Sequence, residues 1–251
     1  MKGLNGRSVI VTGGASGIGR AAALLLAEAG CLLTLGDLNE AGCEETVAQI
    51  KARGGQAQWI RTDVSSESDA QRLVDRAVAS YGQLQGACNA AGVAPASKPL
   101  CELTIEQWNR VISINLTAPF LCLKHQVPAV LAAGGGSIVI VASTASLIGV
   151  PLAAEYCASK AGVLGLVRGA SCEYAAKGVR VNAVLPGVTR TPMLEGALKD
   201  NNLEKYFASI HPIGRFAEPI EIATAIRWLM SEEASFVTGS AMTADGGMTS
   251  V

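Results

Sequence analysis

The stretch Val9-Ile10-Val11-Thr12-Gly13-Gly14-Ala15-Ser16-Gly17-Ile18-Gly19 runs from a β-branched strand core, through a glycine-rich turn, into an apolar helix. Glycines let a chain turn sharply and let its backbone approach a pyrophosphate without Cβ contacts. The helix beyond presents free N–H groups and a partial positive charge to an anion. The spacing is G-x-x-x-G-x-G, not the commoner G-x-G-x-x-G, and its weight comes from its place between a first strand and a first helix. It predicts a dinucleotide site with Gly13, Ser16, Gly17, Ile18 and Gly19 around the phosphates.

From this turn onward, short β-branched runs alternate with longer helical ones. Strands are expected at 32–35, 58–61, 84–88, 137–142, 179–185 and 242–243, with helices at 18–29, 39–53, 67–81, 154–177 and 219–230. One long helical region is expected over 104–133, opened by Thr104 and Gln107 at capping-box spacing. Gly30, Gly82 and Gly178 stand where helices close. Alternation throughout predicts an α/β fold, a doubly wound parallel sheet with helices on both faces, in a single domain over 1–251. Residues 187–214 form the one long irregular insertion, the kind of segment that covers a binding site.

Asp37 follows the second strand. A carboxylate there accepts hydrogen bonds from the adenosine ribose and repels a 2′-phosphate, and no Lys or Arg stands at 14–16 or 38 to recruit one. NAD(H) is therefore the expected cofactor.

Composition narrows the partners. Twenty Lys and Arg against 21 Asp and Glu leave a net charge of −1, which offers no footprint for nucleic acid and no polybasic membrane patch. Residues 126–154 carry no charged side chain, but Pro128, Gly134-Gly135-Gly136 and Pro151 interrupt them, as expected of two buried elements joined by a turn. The seven cysteines form no C-x-x-C pair, and His125 and His211 are the only histidines. Reduced thiols, no metal site and a cytoplasmic location are expected. Met1–Gly6 leads straight into a strand-like run, so no signal peptide is expected.

Tyr156 and Lys160 are spaced i and i+4, on one face of one helix. A free phenol titrates near 10, and a nearby ammonium favours the phenolate, bringing it toward the working range. Ser143 ends the fifth strand, where a hydroxyl can hydrogen-bond a substrate oxygen in the crevice at the strand ends. Each signal is weak alone. Their order after the glycine loop is specific.

With these residues the chain resembles the short-chain dehydrogenase/reductase family, in its single-domain branch. The resemblance spans Thr12 to Gly19, Asp63-Val64, Asn89-Ala90-Ala91-Gly92, Asn115, Ser143, Tyr156 with Lys160, Pro186-Gly187, Val237-Thr238-Gly239 and Asp245-Gly246-Gly247. It implies a Rossmann-type sheet of seven strands and a homotetramer assembled through paired long helices. It further implies Tyr156 as general acid or base, Lys160 as the residue lowering its pKa and holding the nicotinamide ribose, and Ser143 as the orienter of the carbonyl oxygen. Asn115 would support a water-linked relay to the lysine. Asp63 and Val64 would contact adenine, Asn89 the adenosine-side ribose, and Thr189 and Thr191 the carboxamide and phosphate region. Ala90 departs from the family, which often has a second asparagine there.

The insertion contributes Met193, Leu194, Leu198, Tyr206, Phe207 and Ile210. These either line an apolar pocket for a ring or medium-sized alcohol or ketone, or pack the insertion onto the body. The segment from Thr191-Pro192-Met193 through His211-Pro212-Ile213-Gly214-Arg215-Phe216 resembles dehydrogenases of cyclic alcohols and diols. Two alternatives stand beside this reading: a 3-oxoacyl-[acyl-carrier-protein] reductase, which Asp37 and the balanced charge disfavour, and a non-catalytic dinucleotide sensor, which would be expected to lose part of the Asn–Ser–Tyr–Lys set.

Overall fold

The computed structural model describes residues 1–194 and 201–250. Seven parallel strands lie in the order β3-β2-β1-β4-β5-β6-β7. They are β1 Ser8–Thr12, β2 Leu32–Asp37, β3 Gln56–Arg61, β4 Gly86–Asn89, β5 Gly136–Val141, β6 Val179–Pro186 and β7 Ala241–Ala244. The order reverses between β1 and β4, which pair in register from Val9↔Gly86 to Thr12↔Asn89. Crossovers leave opposite faces on either side of that point, opening a crevice at the carboxyl ends of the strands.

Strand alternation divides the core into two layers. Val9, Val11, Val139 and Val141 face one way, packing with α1 (Gly17–Glu28), α2 (Glu40–Ala52) and α8 (Pro219–Met230). Ile10, Ile138 and Ile140 face the other, packing with α3 (Glu67–Tyr81), α5 (Ala118–Ala132) and α6 (Ala154–Tyr174). Local signals set the helix ends. The Asn39 side chain accepts from Gly42 N, and Ser66 accepts from Asp69 N. Thr104 and Gln107 form the expected capping box of α4 (Ile105–Ile112), and Gly82 closes α3 in the left-handed region. Among the described residues, no helix is long and apolar enough to cross a membrane.

Two expectations need correction. The region 104–133 is not one helix: α4 passes into a π-helical turn, Ser113–Thr117, before α5 begins. Pro119, in the first turn of α5, has no N–H to give to the carbonyl four residues back, that of Asn115. The insertion is not irregular either. It carries a short 3-10 turn, Pro192–Leu194, and a helix, α7 (Asn201–Ser209). Arg190 ties α7 to the body, lying 3.5 Å from Glu204 and 3.3 Å from Glu218 while stacking over Phe216. Leu198 lies outside the described residues.

Candidate active site

The glycine turn joins β1 to α1 at the mouth of the crevice. Gly13 has φ +70, and a Cβ there would come within 2.8 Å of Ala91 N. A Cβ on Gly19 would lie 2.0 Å from Gly13 O. Gly17 has φ +51 and faces Thr191, whose Cγ2 would be 3.2 Å from an added Cβ. Ser16 is the N-cap of α1 but makes no side-chain cap bond, and Ile18 follows in the first turn. A narrow turn that only glycine can line, set at a helix N-terminus, fits a pyrophosphate.

Asp37 closes β2 beside this turn. Its Oδ2 accepts from Ala15 N at 3.1 Å, and its Oδ1 accepts from Asn39 N at 3.0 Å. Arg20, the nearest guanidinium on α1, is engaged by Glu45 at 2.7 Å and by the Ala15 carbonyl at 2.6 Å. Asp63 follows β3, and its Oδ1 accepts from Ser65 N and Oγ. Val64 packs with Ala118 and Cys122. At the end of β4 the Asn89 amide is engaged on both sides by Gln126, with two 2.9 Å bonds in a buried pair. Its side chain is thus turned into the protein, and any ribose contact falls to its main chain.

Across the crevice, β5 delivers Ser143 and α6 delivers Tyr156 and Lys160. The Ser143 hydroxyl, which accepts from Ala145 N at 3.2 Å, sits near enough to the Tyr156 phenol to influence its ionisation. Lys160 Nζ lies 5.6 Å from the Tyr156 ring centroid and donates to the Val141 carbonyl at 3.0 Å. Asn115, in the π turn, holds Val93 from both sides: Val93 N donates to Oδ1 at 2.8 Å, and Nδ2 donates to the Val93 carbonyl at 2.9 Å. A Cβ on Gly92 would be 3.2 Å from Asn115 Oδ1 and 3.7 Å from Lys160 Nζ, so this backbone passes between the two.

The electrostatics differ from the sequence expectation. Burial pushes the Tyr156 phenol above its ordinary 10, with the Ser143 hydroxyl opposing this by favouring the phenolate. Burial also brings Lys160 down from 10.5 to about 8. Desolvation disfavours the charged form of each group, and it is the leading influence on both.

The end of β6 and the insertion complete the crevice. Thr189 is buried, with its hydroxyl donating to the Gly187 carbonyl at 3.1 Å. Pro186 ends the strand, and a Cβ on Gly187 would meet His211 Nε2 at 2.6 Å. No signal in the sequence assigned His211 a role of its own. Its Nε2 accepts from Val188 N at 3.0 Å, which leaves the proton on Nδ1, 2.7 Å from the Phe207 carbonyl. Glu155 and Gln126 were missed as well, because no motif marks a single buried polar residue.

A glycine cradle at the sheet's reversal point, facing a serine, tyrosine and lysine, defines a nicotinamide-dinucleotide oxidoreductase acting on CH–OH groups. Known proteins agree. A family model described as enoyl-(acyl carrier protein) reductase matches residues 13–249. The chain is 47% identical over 253 residues to a 2,5-dichloro-2,5-cyclohexadiene-1,4-diol dehydrogenase of Sphingobium indicum, covering 100% of both. It is 42% identical to a cyclohexanol dehydrogenase of an Acinetobacter species, covering 98% of this chain and 96% of the other. The crystal structure of levodione reductase superposes with a TM-score of 0.95 at 33% identity, over 98% of this chain and 99% of that one. The chain belongs to the short-chain dehydrogenase/reductase family.

Proposed function

We propose that this protein is an NAD(H)-dependent dehydrogenase that interconverts a hydrophobic, cyclic secondary alcohol and its ketone. The observation that carries the reading is the convergence of Ser143, Tyr156 and Lys160 opposite a glycine cradle flanked by Asp37. A sensor would have no need of that assembly. The relatives' substrates, cyclic diols and alcohols, support the substrate class.

Gly13, Ser16, Gly17, Ile18 and Gly19 would hold the pyrophosphate, and Asp37 the adenosine ribose. Asp63, Val64 and the Asn89 main chain would border the adenine half. Pro186, Gly187, Thr189 and Thr191 would border the nicotinamide half. Bound there, the nicotinamide supplies the acceptor or donor of hydride. Ser143 orients the substrate oxygen. Tyr156 accepts the alcohol proton during oxidation and returns it during reduction. Lys160 favours the phenolate and reaches the ribose. The Asn115 carbonyl, denied its helical donor by Pro119, is available to a water leading to Lys160.

The whole chain, 1–251, would act as one domain, with 187–214 covering the substrate. Met193 and Tyr206 are 48% and 55% exposed, so they are free to meet a ligand. Burial pushes the Cys31, Cys43, Cys88 and Cys122 thiols up to about 12, which suits reduced cysteines in the cytoplasm. A homotetramer remains the expected assembly. The test is a panel of cyclic, aryl and 3-oxoacyl substrates followed by nicotinamide absorbance with both cofactors. Turnover confined to 3-oxoacyl thioesters with NADPH would overturn the reading.

A further inference from the structure

The segment Val93-Ala94-Pro95-Ala96 leaves the catalytic lysine without regular secondary structure. Among the described residues, its hydrogen bonds run to two buried side chains. Asn115 holds Val93 at one end. At the other, Ala96 N donates to Glu155 Oε1 at 2.6 Å. Glu155 is fully buried, directly precedes Tyr156 on α6, and its Oε2 is enclosed without a partner. A buried carboxyl oxygen left without a hydrogen-bond partner is costly.

Backbone strain marks the same place. Ser97 (φ +55) and Leu152 (φ +61) are the non-glycine residues with positive φ among those described. One follows Ala96 directly, and the other lies in the turn that leads into α6. Such conformations are strained and cluster where a site over-determines its backbone. Leu152 is also half exposed, so core packing does not demand its conformation.

We propose that Glu155 is a positioning residue that sets substrate selectivity. It clamps Val93–Ala96 as a fixed wall of the cleft, in register with the helix that carries Tyr156. A ring entering the cleft is then judged against a wall that cannot move independently of the reacting phenol. This rests on the function proposed above.

The test compares Glu155→Ala and Glu155→Gln with wild type over a series of cyclic alcohols of different ring size. Glu155→Ala should raise the alcohol KM at least about 10-fold and flatten the ranking of ring sizes. NADH affinity, followed by its fluorescence, should stay within about 2-fold, and the pH midpoint of oxidation should not move. Glu155→Gln keeps the acceptor for Ala96 N and should restore the KM to within about 3-fold of wild type. Amide exchange at Ala96 should quicken in Glu155→Ala and not in Glu155→Gln. An unchanged ranking of ring sizes would overturn the proposal. So would a glutamine variant no better than alanine, or a parallel loss of NADH affinity. If Glu155→Ala does not fold, Pro95→Gly loosens the same segment and must raise the alcohol KM in the same pattern; an unchanged KM overturns the proposal. Should wild type turn over no alcohol, the reading of function falls separately. Equal Ala96 exchange in wild type and Glu155→Ala would still overturn the clamp.

Discussion

Asp37 Oδ2 accepts a hydrogen bond from Ala15 N at 3.1 Å, so the carboxylate proposed to select the cofactor also braces the loop proposed to hold its phosphates. Two roles in one side chain make its removal more than a change of charge. Wild type should prefer NAD(H) over NADP(H) at least about 100-fold in kcat/KM, about 2.7 kcal/mol. Asp37→Ala should narrow that gap and also weaken NADH binding, because Ala15 loses its acceptor. Equal kcat/KM for the two cofactors in wild type would disprove the preference.

Tyr156→Phe keeps the ring and removes the proposed proton donor, so kcat should fall at least about 100-fold while NADH still binds. Stopped-flow turnover and NADH fluorescence check the two halves. A variant that keeps most of its turnover would show that another group handles the proton.

Ser143 opposes the effect of burial on the phenol. Ser143→Ala removes the interaction that lowers the Tyr156 pKa, so the apparent pKa must rise. The rising limb of the oxidation rate should move to higher pH, with a lower kcat at neutral pH. A profile that keeps its midpoint would mean that the observed ionisation belongs elsewhere.

Lys160 links catalysis to stability. Its pKa falls from 10.5 to about 8 on burial, so the unfolded chain binds more protons between those two values. Stability must therefore rise with pH across that window, and the cost of burying the ammonium is fully present below pH 8. That cost is at most about 3 kcal/mol. Lys160→Met should abolish turnover and weaken NADH binding, yet raise Tm by a few degrees at pH 7. The gain should shrink toward pH 10.5. Loss of the bond to the Val141 carbonyl offsets part of it. A lower Tm at pH 7 would refute the assignment.

The insertion separates lid from packing. Met193→Ala should change substrate preference and leave NADH affinity and Tm nearly unchanged, because Met193 is half exposed. Phe207→Ala should change the preference and also lower Tm, because its ring is part-buried and lies 5.8 Å, centroid to centroid, from that of Tyr206. A drop in Tm with an unchanged preference profile in both variants would make 187–214 a structural cap.

The fold and most of the proposed site were legible because their signals are local and periodic. Val9 and Val11 facing one layer and Ile10 the other is an alternation that any strand must keep. Gly82 and the Thr104–Gln107 pair are chemical stops and starts that act within one turn. The glycine loop, Asp37, and Tyr156 with Lys160 also lie within short stretches of chain, so spacing alone brings each set together. Partners distant in sequence were decided by tertiary packing. Gln126 claims Asn89, Glu155 claims Ala96, and His211 claims Val188, each across a gap that no motif spans. The π turn at Ser113–Thr117 likewise breaks a run that reads as one helix. The phenol is raised and the lysine lowered for the same reason. Spacing along the chain tells which groups are neighbours, but the water each group loses depends on every element folded around it.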